Sequence, residues 1–157
     1  MLDNYLQILN DSLVKKDAIL AKIEDLSKDQ AKLIEEGATF EAIDANMDEK
    51  AKLISELELL DDGFESLYDK IKAELEGHKS EYGKEIKAIQ KLIGSVMDKS
   101  TSIQAVEARN KKAMEKRFAD ERKELSQRKV TQSVAYDYYK TTSKLQAVGP
   151  QFLDKKK

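Results

Sequence analysis

The residues able to do chemistry are few in this chain. His78 is the single histidine among 157 residues, and there is no cysteine and no tryptophan. Without cysteine there is no thiol nucleophile, no disulfide framework and no zinc–thiolate site. His78 lies in the turn-like run Gly77-His78-Lys79-Ser80, with no Asp-x-His or Glu-x-x-His spacing around it. A di-iron carboxylate bundle needs Glu-x-x-His on two helices, which one histidine cannot supply. Glycine-rich phosphate loops of the GxxxxGK[ST] and GxGxxG types are absent. Glu58, Asp61, Asp62 and Glu65 form an acidic cluster. It lacks the alternating ligand spacing of a calcium loop and reads as a solvated helix face. The expectation is a non-enzymatic protein with no metal and no cofactor.

Composition narrows the alternatives. Charged residues make up 37% and aromatics 6%, with one proline and 6 glycines; Leu, Ala, Lys and Glu dominate, which is helix composition. No run approaches the 18 or so apolar residues of a membrane span. Met1-Leu2-Asp3-Asn4 lacks the basic stretch and apolar core of a signal peptide, so the expected compartment is the cytoplasm. The net charge of −2 hides an asymmetry: residues 1–75 hold 9 Lys/Arg against 19 Asp/Glu, and residues 76–157 hold 19 against 11. A basic half can signal nucleic acid, here through Lys111, Lys112, Lys116 and Arg117. Those cations are interleaved with carboxylates, 14 charges of both signs in the 23 residues 107–129, as on a solvated helix. Neither nucleic acid nor membrane is therefore expected as a partner, since this basic stretch also lacks a strong apolar face.

Three helical segments must position whatever site exists. The first runs from Asn4, which with Gln7 resembles a capping box, to about Glu36. Its stripe is Leu6, Leu9, Leu13, Leu20, Ile23, Leu26, Leu33 and Ile34, at the three- and four-residue steps of an amphipathic helix. Gly37 suits a C′ position and Thr39 an N-cap. The second segment, Phe40 to about Leu75, carries Ile43, Met47, Leu53, Ile54, Leu57, Leu60, Phe64, Leu67, Ile71 and Leu75. Gly63 inside it weakens the helix and invites a kink. The third starts near Tyr82 with Ile86, Ile89, Leu92, Ile93, Val96 and Met97. Ser100-Thr101-Ser102 then either opens a new helix, with Thr101 and Gln104 as its capping box, or sits on the outer face of an unbroken one. Beyond it the stripe thins to Ile103, Val106, Met114, Phe118 and Leu125, and helical pattern persists weakly to Tyr139. Residues 141–157, with Gly149-Pro150 and a Lys155-Lys156-Lys157 end, read as a disordered tail.

Dense stripes on helices this long must bury against one another, and short connections make successive helices antiparallel. The predicted fold is all-α: an elongated antiparallel bundle of three long helices over residues 1–140, with coiled-coil-like packing. A third helix reaching Tyr139 would be roughly 85 Å long and overshoot its partners, each roughly 50 Å. Ile103, Val106, Met114 and Phe118 also offer fewer apolar residues than the faces opposite. The mismatch predicts a partly uncovered groove lined by these four, with Ile43 and Met47 nearby, suited to capturing a partner helix. Tyr136, Tyr138 and Tyr139 cluster in Ala-Tyr-Asp-Tyr-Tyr-Lys and are read either as the cap of the core or as an exposed protein-binding anchor.

Taken together, the leucine-striped first helix, Met47-Asp48-Glu49-Lys50-Ala51-Lys52-Leu53-Ile54, Leu57-Glu58-Leu59-Leu60-Asp61-Asp62-Gly63-Phe64-Glu65, Glu107-Ala108-Arg109-Asn110, the tyrosine pair and the end Gln151-Phe152-Leu153-Asp154-Lys155-Lys156 resemble the FlgN-like flagellar export chaperones along the whole chain. The resemblance implies a cytoplasmic chaperone of flagellar type III secretion. Such a protein binds the C-terminal amphipathic helix of hook–filament junction proteins, prevents early assembly and delivers them to the export gate. Ile103, Val106, Met114, Phe118, Ile43 and Met47 would then hold cargo, and one of Tyr136, Tyr138 and Tyr139 would dock on the export apparatus. A monomer or weak homodimer is expected. The rival reading is a homodimeric coiled-coil scaffold or adaptor in which the overshooting third helix pairs with its own copy.

Overall fold

A computed structural model describes residues 2–121. The elements are α1 (Leu2–Glu35), α2 (Phe40–Asp62), α3 (Phe64–Leu75), a 3-10 turn (Lys79–Tyr82) and α4 (Gly83–Asp120). Among the described residues there is no strand, and the helices pack as a bundle. The tail, Leu125, the tyrosine cluster and the predicted continuation to Tyr139 lie outside the described residues.

The chain turns where its local chemistry dictates. After α1, Gly37 adopts φ +70°, a left-handed conformation that glycine enters without a Cβ penalty. Its N–H donates to the Ile34 carbonyl at 3.1 Å, and the Ala38 N–H donates to that of Leu33 at 2.9 Å. This is a Schellman closure, which satisfies carbonyls that the helix end leaves open. Two residues later the Thr39 hydroxyl accepts from the Ala42 N–H at 3.2 Å and caps α2. Gly77, at φ +88°, provides the second left-handed turn, ahead of the 3-10 segment that leads into α4. Asn4 is not a cap: α1 already begins at Leu2, so Asn4 lies within its first turn.

Buried positions recur in alternating steps of four and three. On α1 they are Leu2, Leu6, Leu9, Leu13, Lys16, Leu20, Ile23, Ser27 and Gln30. On α4 they include Ile89, Ile93, Val96, Ser100, Ile103, Glu107, Asn110 and Met114. On α2 they include Phe40, Ile43, Met47, Lys50, Ile54 and Leu57. Half-buried Asp61 and Phe64 carry the same rhythm over Gly63 to Tyr68, Ile71 and Leu75 on α3. The second predicted helix is therefore two helices with one register. α4 by contrast runs unbroken through Ser100-Thr101-Ser102; Ser100 is buried on the seam while Thr101 is exposed, so the triplet is not confined to the outer face.

The paired residues fix direction. Lys16 meets Asp61 and Gln30 meets Lys50, so α1 and α2 run oppositely. Asp17 meets Lys99 and Ser27 meets Asn110, so α1 and α4 run the same way. At 1.5 Å per residue α4 is about 57 Å long and α1 about 51 Å, and α2 with α3 nearly spans α1. The expected overshoot concerns a helix reaching Tyr139, and that part of the expectation lies outside the described residues. α4 lies close along α1, whereas the backbones of α2 and α4 stay further apart.

Two apolar clusters fill the interior. One holds Leu2, Leu6, Leu9, Leu13, Tyr68, Ile71, Leu75, Ile89 and Ile93. The other holds Leu20, Ile23, Phe40, Ile43, Met47, Ile54, Leu57, Val96, Ile103, Met114 and Phe118. A polar band separates them: Lys16 Nζ reaches Asp61 at 2.8 Å, Lys99 Nζ reaches Asp17 at 3.1 Å, and Ser95 donates to Asp17 at 2.7 Å.

At Gly63 the backbone is helical (φ −89°, ψ −9°) and a methyl group would meet nothing within 4 Å. Gly63→Ala is therefore expected to raise stability by about 0.5–1 kcal/mol, by lowering the freedom of the unfolded chain and favouring helix. Urea unfolding followed by circular dichroism measures this; a loss of stability would show that the joint needs glycine for a reason other than helix propensity.

Candidate functional site

The six residues expected to line an open groove are all core residues. Ile103, Ile43 and Met47 are 0% exposed, Met114 is 1%, and Val106 and Phe118 are 7% exposed. The expected groove is therefore not open in this structure. Large side chains close it: Phe118 stacks on Phe40 with ring centroids 5.6 Å apart, filling the wide gap between α2 and α4. The Arg117 guanidinium lies 4.4 Å from the Phe40 ring centre, and its Nε donates to Glu121 at 3.2 Å. Five of the six, Ile43, Met47, Ile103, Met114 and Phe118, belong to one apolar cluster, the junction where α2 and α4 face each other across α1; Val106 is buried but is not part of that cluster. Of the four cations weighed for nucleic acid, Lys111, Lys112 and Lys116 are exposed, while Arg117 is engaged at this junction. Tyr136, Tyr138 and Tyr139 lie outside the described residues.

The other chemical candidates resolve simply. His78 is exposed after the Gly77 turn, 3.5 Å from the Glu81 carboxylate. Asp61 of the acidic cluster points to Lys16, while Glu58, Asp62 and Glu65 are exposed. No group of three or more His, Asp or Glu able to hold a metal occurs among the described residues. No described helix is long and apolar enough to cross a membrane.

The composition of the apolar stripes did not reveal a buried polar layer beside the junction. Lys50 of α2 is 0% exposed, yet it carries an ammonium group. It donates to Gln30 Oε1 of α1 and, at 2.9 Å, to Glu107 Oε1 of α4. One turn along, Asn110 Nδ2 donates to the Ser27 carbonyl at 2.9 Å and Asn46 Nδ2 to the Leu26 carbonyl at 3.0 Å. Carbonyls within a helix keep a second lone pair for such bonds. The layer is thus shared by all three strands of the bundle. Its signal lay in spacing rather than residue type: Gln30, Lys50, Glu107 and Asn110 stand where the four-three rhythm calls for an apolar residue.

Burial lowers the Lys50 pKa from 10.5, and the Glu107 carboxylate opposes that shift by attraction and by its hydrogen bond. Between the lowered value and 10.5 the unfolded chain holds more protons on this lysine than the folded chain does. Its contribution to stability therefore rises with pH across that window, and below the window the full desolvation penalty is present. Glu107 Oε2 has no hydrogen-bond partner, so this carboxylate depends on Lys50.

Removing one member of the pair strands the other. Lys50→Met is expected to destabilise by about 3–5 kcal/mol, whereas Lys50→Met with Glu107→Leu is expected to come close to wild type or exceed it. Urea midpoints compared across the two variants decide the matter. Equal losses in both would mean that the pair is not coupled.

No protein-family profile, curated protein or solved structure matches this chain.

Proposed function

We propose that this protein is a non-catalytic export chaperone of the FlgN-like kind, acting in the cytoplasm. It holds the C-terminal amphipathic helix of flagellar hook–filament junction proteins and hands them to the export gate. The observation that carries the reading is the concentration of Ile43, Met47, Ile103, Met114 and Phe118 at one junction, where α2 and α4 meet through side chains rather than close backbone approach. Two methionines at such a place suit a surface that repacks around different helices. The motifs that resemble the family support the same reading.

Since the junction is closed, capture in this account requires α2 to give way. Its ends favour that: Gly37 precedes it and Gly63 follows it. Its buried face includes Lys50 and Asn46, which water can solvate when α2 leaves. A cargo helix then packs on Ile103, Val106, Met114 and Phe118 in its place. The four-three alternation along α1, α2 and α4 supports the further reading of the bundle as an antiparallel three-stranded coiled coil. Tyr136, Tyr138 and Tyr139 are the proposed contacts to the export apparatus.

The test is a pull-down from lysate of the host with the full chain as bait. Recovery of flagellar hook-associated subunits is the expected result. A tight dimer formed through α4, with no such subunit recovered, would replace this reading with the scaffold.

A further inference from the structure

Any helix that takes the place of α2 meets one charge. Among the described residues Glu107 is the one buried carboxylate, and it stands on the face of α4 that receives α2. Its Oε1 accepts from Lys50 Nζ at 2.9 Å, while its Oε2 is buried without a hydrogen-bond partner. The neighbouring polar group of α4 makes no such demand. Asn110 donates to the Ser27 carbonyl of α1, a bond between two helices that lie close along each other whether or not α2 is present. Once α2 leaves, Glu107 has lost its cation.

The replacement therefore has to fit by more than its apolar stripe. Under an entirely apolar stripe the carboxylate would be buried with its charge uncompensated, the costly way to break a buried pair. A neutral donor would supply a hydrogen bond but leave the charge. A lysine in the register of Lys50 reproduces the native contact. An arginine goes further, because its planar fork donates to both oxygens of a carboxylate, and α2 leaves the second oxygen of Glu107 unused. That extra bond favours an incoming helix over the tethered one. The register follows from α2, where Ile43 and Met47 are buried seven and three residues before Lys50, and Ile54 and Leu57 four and seven residues after it. The matching helix carries apolar residues at the same four offsets from its basic residue.

We propose that the helix captured at the α2–α4 junction carries a basic residue, arginine above lysine, within its apolar stripe, and that Glu107 selects it. Glu107 is thus the specificity residue of the junction, and Lys50 is the internal stand-in for the partner's cation. This rests on the chaperone reading, in which a helix of another protein replaces α2, and adds the chemistry by which that helix is recognised.

The probe is α2 in free form: a dye-labelled peptide of residues 39–63, either unchanged or with Lys50→Arg or Lys50→Met, titrated with the full chain and followed by fluorescence anisotropy. On the wild-type chain the Lys50→Arg peptide is expected to bind most tightly and the Lys50→Met peptide most weakly, about tenfold or more below the unchanged one. The comparison protein is the full chain with Lys50→Met and Glu107→Leu, which loses one charge of each sign and so keeps the net charge of wild type. Circular dichroism verifies that it keeps the fold. On this protein the order is expected to reverse, because a basic side chain would then be buried without a carboxylate. A general attraction for basic peptides would give the same order on both proteins. That result, or equal binding of the three peptides to wild type, would overturn selection by Glu107 and leave capture standing. Binding of none of them would overturn selection and, with it, the reading of α2 as a replaceable helix.

Discussion

The ammonium group of Lys50 sets the terms for the rest of the bundle. A charge in an apolar interior is tolerated only when it is paired and hydrogen-bonded. Gln30 and Glu107 meet that demand from α1 and α4. Sliding α4 by one seam position would put Ile103 or Asn110 where Glu107 stands, and sliding α1 towards Ser27 would remove the Gln30 carbonyl, so the lysine would lose a partner. Asn46 and Asn110 reinforce the setting one turn away, through the Leu26 and Ser27 carbonyls. Apolar stripes with a four-three rhythm can pair in several registers, because one leucine resembles the next; polar residues at seam positions choose among them. The layer contributes little net stability and a good deal of register.

From that constraint the division of the molecule follows. Below the band of Lys16, Asp61, Asp17 and Lys99, the interior is apolar and α3 closes it with Tyr68, Ile71 and Leu75. Above the band, Phe40, Phe118, Met47 and Met114 help to fill the interior where α2 faces α4. The upper half therefore combines large, repackable side chains with a polar layer that water can replace. The proposed chaperone action draws on both properties.

Much of the fold could be read from residue spacing. The Gly37 and Thr39 punctuation, the joint at Gly63 and the start of the last long helix after Tyr82 all follow from local rules, and local rules act whatever the tertiary context. The closed state of the junction could not be read in this way. Counting apolar residues made the stretch from Ile103 to Met114 look underfilled, because Glu107 counts among the solvated charges by type and Asn110 is not apolar. In the structure both are 3% exposed or less and pair across the core. Lys16, Ser27, Gln30 and Lys50 escaped notice for the same reason. Burial of a polar residue depends on a partner from another helix, and that partner is not encoded nearby in the sequence. Seam spacing was the available clue, since each of these residues fills a gap in an otherwise regular alternation.

The central claim is that α2 is held in register by the polar layer and is the part of the bundle that yields. Native-state amide hydrogen exchange measures this directly, since segments that open independently exchange with a lower free energy than global unfolding. The account predicts that the amides of Phe40–Asp62 exchange together through one such partial opening, while the α1 and α4 amides facing each other exchange only when the whole bundle unfolds. Exchange of α2 with the same free energy as α1 and α4 would contradict it.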